Sequence, residues 1–243
     1  MPSAGCGKSR TLQNGSITVQ SGGVARTYVL RAPDNYDNSH PYRLILGLHG
    51  ATGNANQVAP GFFGLFALSN GSTIFIAPSA NGGLWEATTD TTFVEEIVKA
   101  VEDDLCIDTT RIELEGFSQG AAMAWTLACG LPNVFRAVVG HSGGGVANPT
   151  TCQPVAYFGS LGLQENGGQT TQTDKFAKWN ACTVETLPAA PTGGHLCSDY
   201  KNCSAGHPVR WCPYDGGHTP SPRDSGQSTS WMPAEVWSFL AQF

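Results

Sequence analysis

The sequence predicts an α/β fold, with a mostly parallel central sheet and helices on both faces. Short apolar runs, such as residues 44–48 and 73–77, alternate with longer segments, such as 93–102, that carry apolar residues at helical spacing. Strands that are apolar on both faces are typical of parallel sheets covered by helices. The chain has 243 residues and no internal repeat or low-complexity linker, so we expect a single domain, 1–243.

The predicted elements follow one another in a regular order. Turn residues at 21–23 close a hairpin, and Pro78 follows one of the apolar runs. The segment 187–208 is rich in Pro, Gly and Cys, and loops of such length are often functional. We expect the hairpin at 17–30, strands at 44–48, 73–77, 111–114, 137–139, 155–158 and 209–212, and helices at 93–102, 121–128, 175–180 and 234–242.

Composition and charge exclude several classes of partner. Charged residues make up 13% of the chain, and the formal net charge is −6. A protein with this overall field is not expected to attract nucleic acid or an anionic membrane. No apolar run approaches the length of a membrane span. We therefore expect neither nucleic acid nor a membrane as a partner.

The cysteines indicate an oxidising compartment. Their number is even, and none of them form C-x-x-C pairs, which favours four disulfides over a zinc site. We expect Cys197–Cys203 to close a local loop and Cys129–Cys152 to tie a helix to the exit of the next strand; the other pairings stay open. The eight residues are Cys6, Cys106, Cys129, Cys152, Cys182, Cys197, Cys203 and Cys212.

Potential glycosylation sites support the same compartment. Asn-x-Ser sequons occur at Asn14, Asn70 and Asn202. The first residues, 1–5, lack the apolar segment of a signal peptide, so we interpret the chain as a mature form. We expect a secreted, extracellular glycoprotein.

A G-x-S-x-G pentapeptide at 116–120 is the strongest candidate for catalysis. An apolar strand precedes it and a helix-forming run follows, which is the context of a nucleophile elbow in the α/β-hydrolase fold. The flanking glycines allow strand and helix to approach the turn closely. We expect Ser118 to be the nucleophile and the N–H of Gln119 to bind an oxyanion.

Two other motifs imitate functional patterns. The segment 140–144 also reads G-x-S-x-G, but residues 145–149 cannot start a helix at once, so we interpret Ser142 as a loop residue at a strand end. Residues 5–9 resemble the end of a phosphate-binding loop. The first glycine of that motif and the preceding strand are both missing, which excludes nucleotide binding there.

A catalytic serine needs a general base and an acid that orients it. In the chain order of α/β-hydrolases the acid and then the histidine follow the serine. His218 comes after a strand and before the last predicted helix, so we expect it to be the base. His195 and His207, in the cysteine-rich loop, are alternatives.

The acid is expected beyond the strand at 155–158. Glu165 is the first carboxylate there, and it is our candidate. Asp174, Asp199 and Asp215 remain alternatives at this point.

The second oxyanion donor is expected in the loop after the strand at 44–48. A glycine followed by a small residue lets a backbone N–H face the developing charge, which favours Ala51. The Thr52 hydroxyl is expected to assist. We interpret His49 as a support for this loop.

Taken in order, these motifs resemble the fungal feruloyl esterases of carbohydrate esterase family 1. The resemblance covers essentially the whole chain and implies an α/β-hydrolase fold, with Ser118 as nucleophile and His218 as base. Related esterases often read H-G-x-x-D where residues 161–165 here end in Glu165. The motifs that carry the resemblance are residues 5–7, 48–54, 116–121, 215–220 and 230–237.

The resemblance implies a secreted esterase that needs no cofactor or metal. Its expected substrates are feruloylated arabinoxylan and small hydroxycinnamate esters, cleaved through an acyl-enzyme. Separately, we expect the protein to be a monomer. A flat apolar slot would hold the aromatic acyl group, and candidates for its walls are Phe62, Phe63, Trp85 and Trp231.

Two alternatives to this function stay open. One is an esterase of the same fold that acts on acetylxylan or a polyhydroxyalkanoate. The other is a non-catalytic carbohydrate-binding module that retains the elbow sequence.

Overall fold

The computed structural model describes residues 1–146, 148–165 and 169–243. Nine strands in this part of the chain form one sheet. They are β1 (Gly15–Ser21), β2 (Val24–Arg31), β3 (Tyr42–Leu48), β4 (Thr73–Pro78), β5 (Ile107–Phe117), β6 (Ala137–His141), β7 (Ala156–Gly162), β8 (Ser198–Asp199) and β9 (Val209–Tyr214).

The sheet is mostly parallel. Its strand order is β1-β2-β4-β3-β5-β6-β7-β9-β8. Six central strands run parallel to one another: β4, β3, β5, β6, β7 and β9. The hairpin β1–β2, the β2–β4 pair and the β8–β9 pair are antiparallel. Consequently the carboxyl ends of β3, β5, β6, β7 and β9 meet at one edge, where ligands bind in open α/β sheets.

Helices cover both faces of the sheet. Alternate residues of β3 point to opposite sides, so that Leu44 and Leu46 belong to one apolar core and Ile45 belongs to the other. Helices α3, α4 and α5 pack on the first side, and α1, α2 and α6 pack on the second. These helices are α1 (Ala55–Val58), α2 (Leu65–Leu68), α3 (Ala87–Asp104), α4 (Gln119–Gly130), α5 (Gln169–Trp179) and α6 (Met232–Leu240).

The predicted α/β architecture is therefore confirmed, and most elements are longer than the patterns indicated. The hairpin and the strands at β3, β4, β5, β6, β7 and β9 all form. The short helices α1 and α2 and the two-residue strand β8 were not predicted, because segments of two to four residues are too short to show a period. Within the described residues, no helix is both long and apolar enough to cross a membrane.

Four disulfides form, as the cysteine count predicted. Cys129–Cys152 is confirmed. The expected Cys197–Cys203 bond is wrong, because the strand pair β8–β9 brings Cys197 to Cys212 and leaves Cys203 beside another partner. The full set is Cys6–Cys106, Cys129–Cys152, Cys182–Cys203 and Cys197–Cys212.

Candidate active site

Ser118 lies at a sharp turn between β5 and α4. Its backbone has φ 56° and ψ −121°, a region that residues other than glycine seldom adopt. A β-carbon at Gly116 would lie 2.3 Å from the carbonyl oxygen of Gly120, and one at Gly120 would lie 2.2 Å from that of Leu48. Both positions therefore require glycine, because strand, turn and helix touch through their backbones.

Backbone hydrogen bonds hold the strained turn. The N–H of Ser118 donates to the carbonyl oxygen of His141 at 2.8 Å, and the N–H of Gly144 donates to the carbonyl oxygen of Ser118 at 3.2 Å. The turn is thus fastened to the end of the neighbouring strand β6. This attachment fixes the position of the serine side chain above the carboxyl edge of the sheet.

His218 connects Ser118 to Glu165. Its Nε2 lies 2.9 Å from Ser118 Oγ, and its Nδ1 lies 2.6 Å from Glu165 Oε2. Because a carboxylate only accepts hydrogen bonds, Nδ1 carries the proton and Nε2 is left to accept from the serine hydroxyl. The ring of Phe117 lies 4.6 Å from the imidazole, centroid to centroid, and supports it from one side. The arrangement has the geometry of a nucleophile, base and orienting acid.

Glu165 is held on its second oxygen as well. Its Oε1 accepts hydrogen bonds from the hydroxyl of Ser142 at 2.6 Å and from the N–H of Gly162 at 2.9 Å. Its side chain is 11% exposed, whereas that of His218 is 47% exposed. The carboxylate is therefore fixed beneath the imidazole, which faces solvent.

The alternative acids are occupied elsewhere. Asp174 accepts a hydrogen bond from the hydroxyl of Tyr200 at 2.7 Å, and Asp199 pairs with Arg210. Asp215 accepts from the side chain of Gln164 and from a backbone amide. These contacts leave Glu165 as the carboxylate that reaches His218.

The alternative histidines also have other contacts. His195 pairs with Asp224 at 2.8 Å and stacks on Trp231 with a centroid distance of 3.9 Å. His207 contacts Ser204. Neither of the two contacts the nucleophile.

The two expected oxyanion donors belong to segments next to the serine: Gln119 follows it directly, and a β-carbon at Gly50, beside Ala51, would lie 3.5 Å from the β-carbon of Ser118. The N–H of Gln119 is at the first position of α4, where helix amides have no partner within the helix. Within the described chain, neither the N–H of Gln119 nor that of Ala51 donates a hydrogen bond. The N–H of Thr52, in contrast, donates to Gly83 at 2.8 Å, which leaves only its exposed hydroxyl for a ligand.

His49 supports the loop that carries Ala51. Its Nδ1 lies 2.7 Å from the carbonyl oxygen of Gly50, and its Nε2 accepts a hydrogen bond from the N–H of Ala80 at 3.0 Å. Trp85 Nε1 donates to the His49 carbonyl oxygen at 2.7 Å. Burial lowers the pKa of His49, which favours the neutral imidazole that these bonds require.

The aromatic candidates for substrate contact need correction. Phe62 is 1% exposed and packs against Phe75 in the core, so it offers no surface to a ligand. Trp85 is 4% exposed and braces the loop around His49. Helical or strand periodicity does not tell which side of a loop an aromatic residue faces, and here both face inward.

Trp231 and Phe63 are partly buried. The ring of His195 stacks on the ring of Trp231, with an angle of 5° between the two ring planes. Beside it, one nitrogen of His195, the sulfur of Cys197 and a carboxylate oxygen of Glu235 lie within 4.8 Å of one another. Since Cys197 is in a disulfide, it offers no thiolate to a metal.

Two features of the site were not predicted from the sequence. Ser142 was interpreted only as a loop residue, yet its hydroxyl contacts Glu165. It lies directly after β6, and residues 143–146, which follow it, form no helix; Ala147 lies outside the described residues. The sequence feature that could have indicated a role for Ser142 is its position at the end of the strand that follows the elbow helix.

The second feature is a buried polar array under the elbow. His141 Nε2 lies 2.9 Å from Glu115 Oε1, and His141 Nδ1 lies 2.9 Å from Ser160 Oγ. Burial raises the pKa of the Glu115 carboxyl. All three side chains are about 1% exposed or less. They join β5, β6 and β7 directly below the catalytic edge.

The chain is similar to known esterases in sequence. The family model for phospholipases and carboxylesterases matches residues 85–158, which include the elbow. Feruloyl esterase C of Emericella nidulans is 38% identical over 98% of this chain and 90% of its own length. Feruloyl esterase D of Neurospora crassa is 34% identical over 100% of this chain and 91% of its own length.

Solved structures of esterases share the fold. An acetyl xylan esterase from Aspergillus awamori superposes with a TM-score of 0.65 at 12% identity, over 94% of this chain and 99% of its own. A thermostable esterase gives a TM-score of 0.66 at 19% identity, over 93% of this chain and 62% of its own. The similarity to feruloyl esterases extends over nearly the whole chain, which rules out the alternative of a non-catalytic carbohydrate-binding module. By this relationship the chain is a carboxylic ester hydrolase of the α/β-hydrolase superfamily, and it belongs to the fungal feruloyl esterase family.

Proposed function

We propose that this esterase releases ferulic and p-coumaric acid from plant cell-wall polysaccharides through an acyl-enzyme on Ser118. The observation that carries the proposal is the unbroken series of hydrogen bonds from Ser118 through His218 to Glu165. The acyl class is supported by the relatives, which are named feruloyl esterases.

Acylation follows from the positions of the side chains. Ser118 Oγ attacks the ester carbonyl carbon while His218 Nε2 takes the hydroxyl proton. The carbonyl oxygen becomes an oxyanion, which the amides of Gln119 and Ala51 stabilise. When the tetrahedral intermediate collapses, the bond to the sugar alcohol breaks and His218 returns the proton to the departing oxygen.

Deacylation repeats the sequence with water as nucleophile. His218 takes a proton from water, and the resulting hydroxide attacks the acyl carbon. The bond to Ser118 Oγ breaks as the serine regains its proton, which releases the hydroxycinnamic acid. Throughout both steps Glu165 remains ionised and stabilises the imidazolium of His218.

Two exposed leucines are suited to contact the aromatic acyl group. Leu84 is 52% exposed and lies between Gly83, which binds the N–H of Thr52, and Trp85, which binds the side chain of Gln119. Leu163 is 47% exposed and precedes Glu165 by two residues. We infer that these leucines, and not Phe62 and Trp85, make the apolar contacts to the acyl group, with the Thr52 hydroxyl nearby.

The site is complete within one chain, which supports a monomer of one domain as the active form. Four disulfides support an oxidising, extracellular compartment. Of the three sequons, Asn70 is exposed in a turn, whereas the side-chain amide of Asn14 exchanges two hydrogen bonds with Ala32 and that of Asn202 donates to the hydroxyl of Thr183 at 3.1 Å. We therefore infer that a secreted form carries its glycan at Asn70.

A substrate panel tests the proposal. Methyl ferulate, methyl p-coumarate, p-nitrophenyl acetate, acetylated xylan and a short polyester would be assayed with the wild type, Ser118→Ala and the buried-serine control Ser69→Ala. We expect the highest kcat/KM on the two hydroxycinnamates and loss of activity by a factor of about 10⁴ or more in Ser118→Ala only. A fluorophosphonate should label the wild type and the control and spare Ser118→Ala. Failure on both hydroxycinnamates would overturn the acyl class, and an active Ser118→Ala would overturn the nucleophile.

A further inference from the structure

Ser142 contacts the acid of the proposed triad from a neighbouring strand. We propose that Ser142 is a positioning residue, whose hydroxyl fixes the Glu165 carboxylate so that its other oxygen meets His218. The inference rests on the proposed function, since it assigns a role to a residue that acts through Glu165.

The contact provides an anchor from outside the loop that carries the acid. Glu165 follows β7, and Gly162, which donates to the same oxygen, belongs to the end of that strand. Ser142 instead extends from β6, and it approaches Glu165 Oε1 to 2.6 Å. Hydrogen bonds to ionised groups at such distances are stronger than neutral ones and are directional. The carboxylate is thus held between two adjacent strand ends.

Ser142 is itself fixed and sheltered. It is 3% exposed, and its N–H donates to the carbonyl oxygen of Ser160 at 3.0 Å. Its φ of 49° is a left-handed conformation that residues other than glycine seldom adopt. The strain and the burial place the hydroxyl next to Glu165 with little freedom to turn away.

Removal of the hydroxyl should affect the chemical step specifically. Without it, Oε1 of the carboxylate keeps the N–H of Gly162 but loses its anchor beyond β7, so the partner of His218 Nδ1 is held less firmly. Since Ser142 is only 3% exposed, it offers almost no surface to a substrate, and KM should stay within about twofold. We expect kcat to fall about 10-fold in Ser142→Ala, in line with loss of a hydrogen bond to a charged group.

A double-mutant cycle with Glu165→Ala tests the role. The wild type, Ser142→Ala, Glu165→Ala and the double variant would be compared by kcat on methyl ferulate and by the rate of fluorophosphonate labelling. If Ser142 acts through Glu165, its replacement costs less than about twofold once the carboxylate is gone. An additive, tenfold loss in the double variant would overturn the proposal, and so would an unchanged kcat in Ser142→Ala.

Further variants separate positioning from folding. Ser142→Gly removes the hydroxyl and suits the positive φ, so it should keep its melting temperature and lose the same activity as Ser142→Ala. Ser69→Ala is a matched control, because Ser69 is also 3% exposed and donates one hydrogen bond, of 2.8 Å, far from the site. If neither Ser142 variant folds, the hydroxyl serves the fold and the proposal is wrong. If Ser118→Ala is inactive and the double-mutant cycle is additive, the positioning role of Ser142 is refuted and the proposed function stands. If Ser118→Ala is active, the proposed function itself is refuted.

Discussion

The backbone N–H of Trp85 donates a hydrogen bond to Oε1 of Gln119, at a distance of 3.0 Å. The Nε2 of the same side chain donates to the carbonyl oxygen of Gly145 at 3.3 Å. Gln119 therefore joins the loop before α3 to the loop after β6. It does so from the first residue of α4, whose own N–H we propose as an oxyanion donor.

Replacement of the Gln119 side chain should impair catalysis although the proposed donor is its backbone. We expect Gln119→Ala to lower kcat about 10-fold, because the two loops are no longer tied to the start of α4. Gln119→Glu keeps the acceptor for Trp85 but places a negative charge beside the developing oxyanion, so its loss should reach about 100-fold, comparable to removal of one oxyanion donor. Steady-state kinetics on methyl ferulate measures both. Gln13→Ala, at an exposed glutamine far from the site, is the control; a fully active Gln119→Glu would contradict the assignment.

The carboxylate behind His218 can be tested by isosteric replacement. Glu165→Gln keeps the size of the side chain but can donate to Nδ1, which favours the imidazole tautomer that cannot accept the serine proton. We expect kcat to fall by about 10³–10⁴, as for the equivalent change in a serine triad. Asp174→Asn, at a carboxylate that binds Tyr200, should remain within twofold. If Glu165→Gln keeps near-normal kcat, Glu165 is not the orienting acid.

The elbow was predictable because its determinants are local. Two glycines, a preceding strand and a following helix all lie within about 20 residues of Ser118, and the fold follows from similar short-range periodicity. The choice among Glu165, Asp174 and Asp215 was left open, since it depends on which strand ends become neighbours in the sheet. Ser142 was overlooked for the same reason: its contact spans 23 residues and joins β6 to β7.

Hydrophobic periodicity in the sequence also could not predict the direction in which loop side chains face. Phe62 and Trp85 are aromatic residues in the correct part of the chain, but their environment depends on how the short helices after β3 pack against α6 and the sheet. The disulfide Cys197–Cys212 follows from pairing of β8 with β9, and β8 is too short to be recognised in the sequence.

The two exposed leucines provide a test of acyl specificity. We expect Leu84→Ser and Leu163→Ser each to raise KM for methyl ferulate about 3- to 10-fold, since loss of a partly buried apolar contact costs about 1 kcal/mol. KM for p-nitrophenyl acetate, whose acyl group is a single methyl, should change less than twofold. Leu68→Ser, which makes the same change at an exposed leucine on α2, is the control. Equal effects on both substrates would show that the leucines do not contact the aromatic acyl group.

His49 should make folding stability depend on pH. Burial lowers its folded pKa below the usual value of 6.5, so at mildly acidic pH the unfolded chain binds a proton at this residue that the folded chain does not. Its contribution to stability is present above pH 6.5 and is lost as the pH falls below that value. Between pH 7.5 and 5.5, the wild type should lose more unfolding free energy than His49→Gln, by no more than about 1.4 kcal/mol per pH unit, measured by urea denaturation. Parallel pH profiles for the two proteins would contradict this explanation.

The disulfides should differ in their contributions to stability. Cys6–Cys106 joins residues 100 positions apart, whereas Cys197–Cys212 joins residues 15 apart. Each pair includes one fully buried cysteine, so the packing lost on replacement by alanine is similar in the two cases. The loop entropy of the unfolded chain then predicts a loss of about 4.7 kcal/mol for the double variant Cys6→Ala/Cys106→Ala and about 3 kcal/mol for Cys197→Ala/Cys212→Ala. Urea unfolding of both proteins at pH 7 gives the two values. An equal or larger loss for the shorter loop would mean that local contacts near β9, rather than chain entropy, dominate the effect.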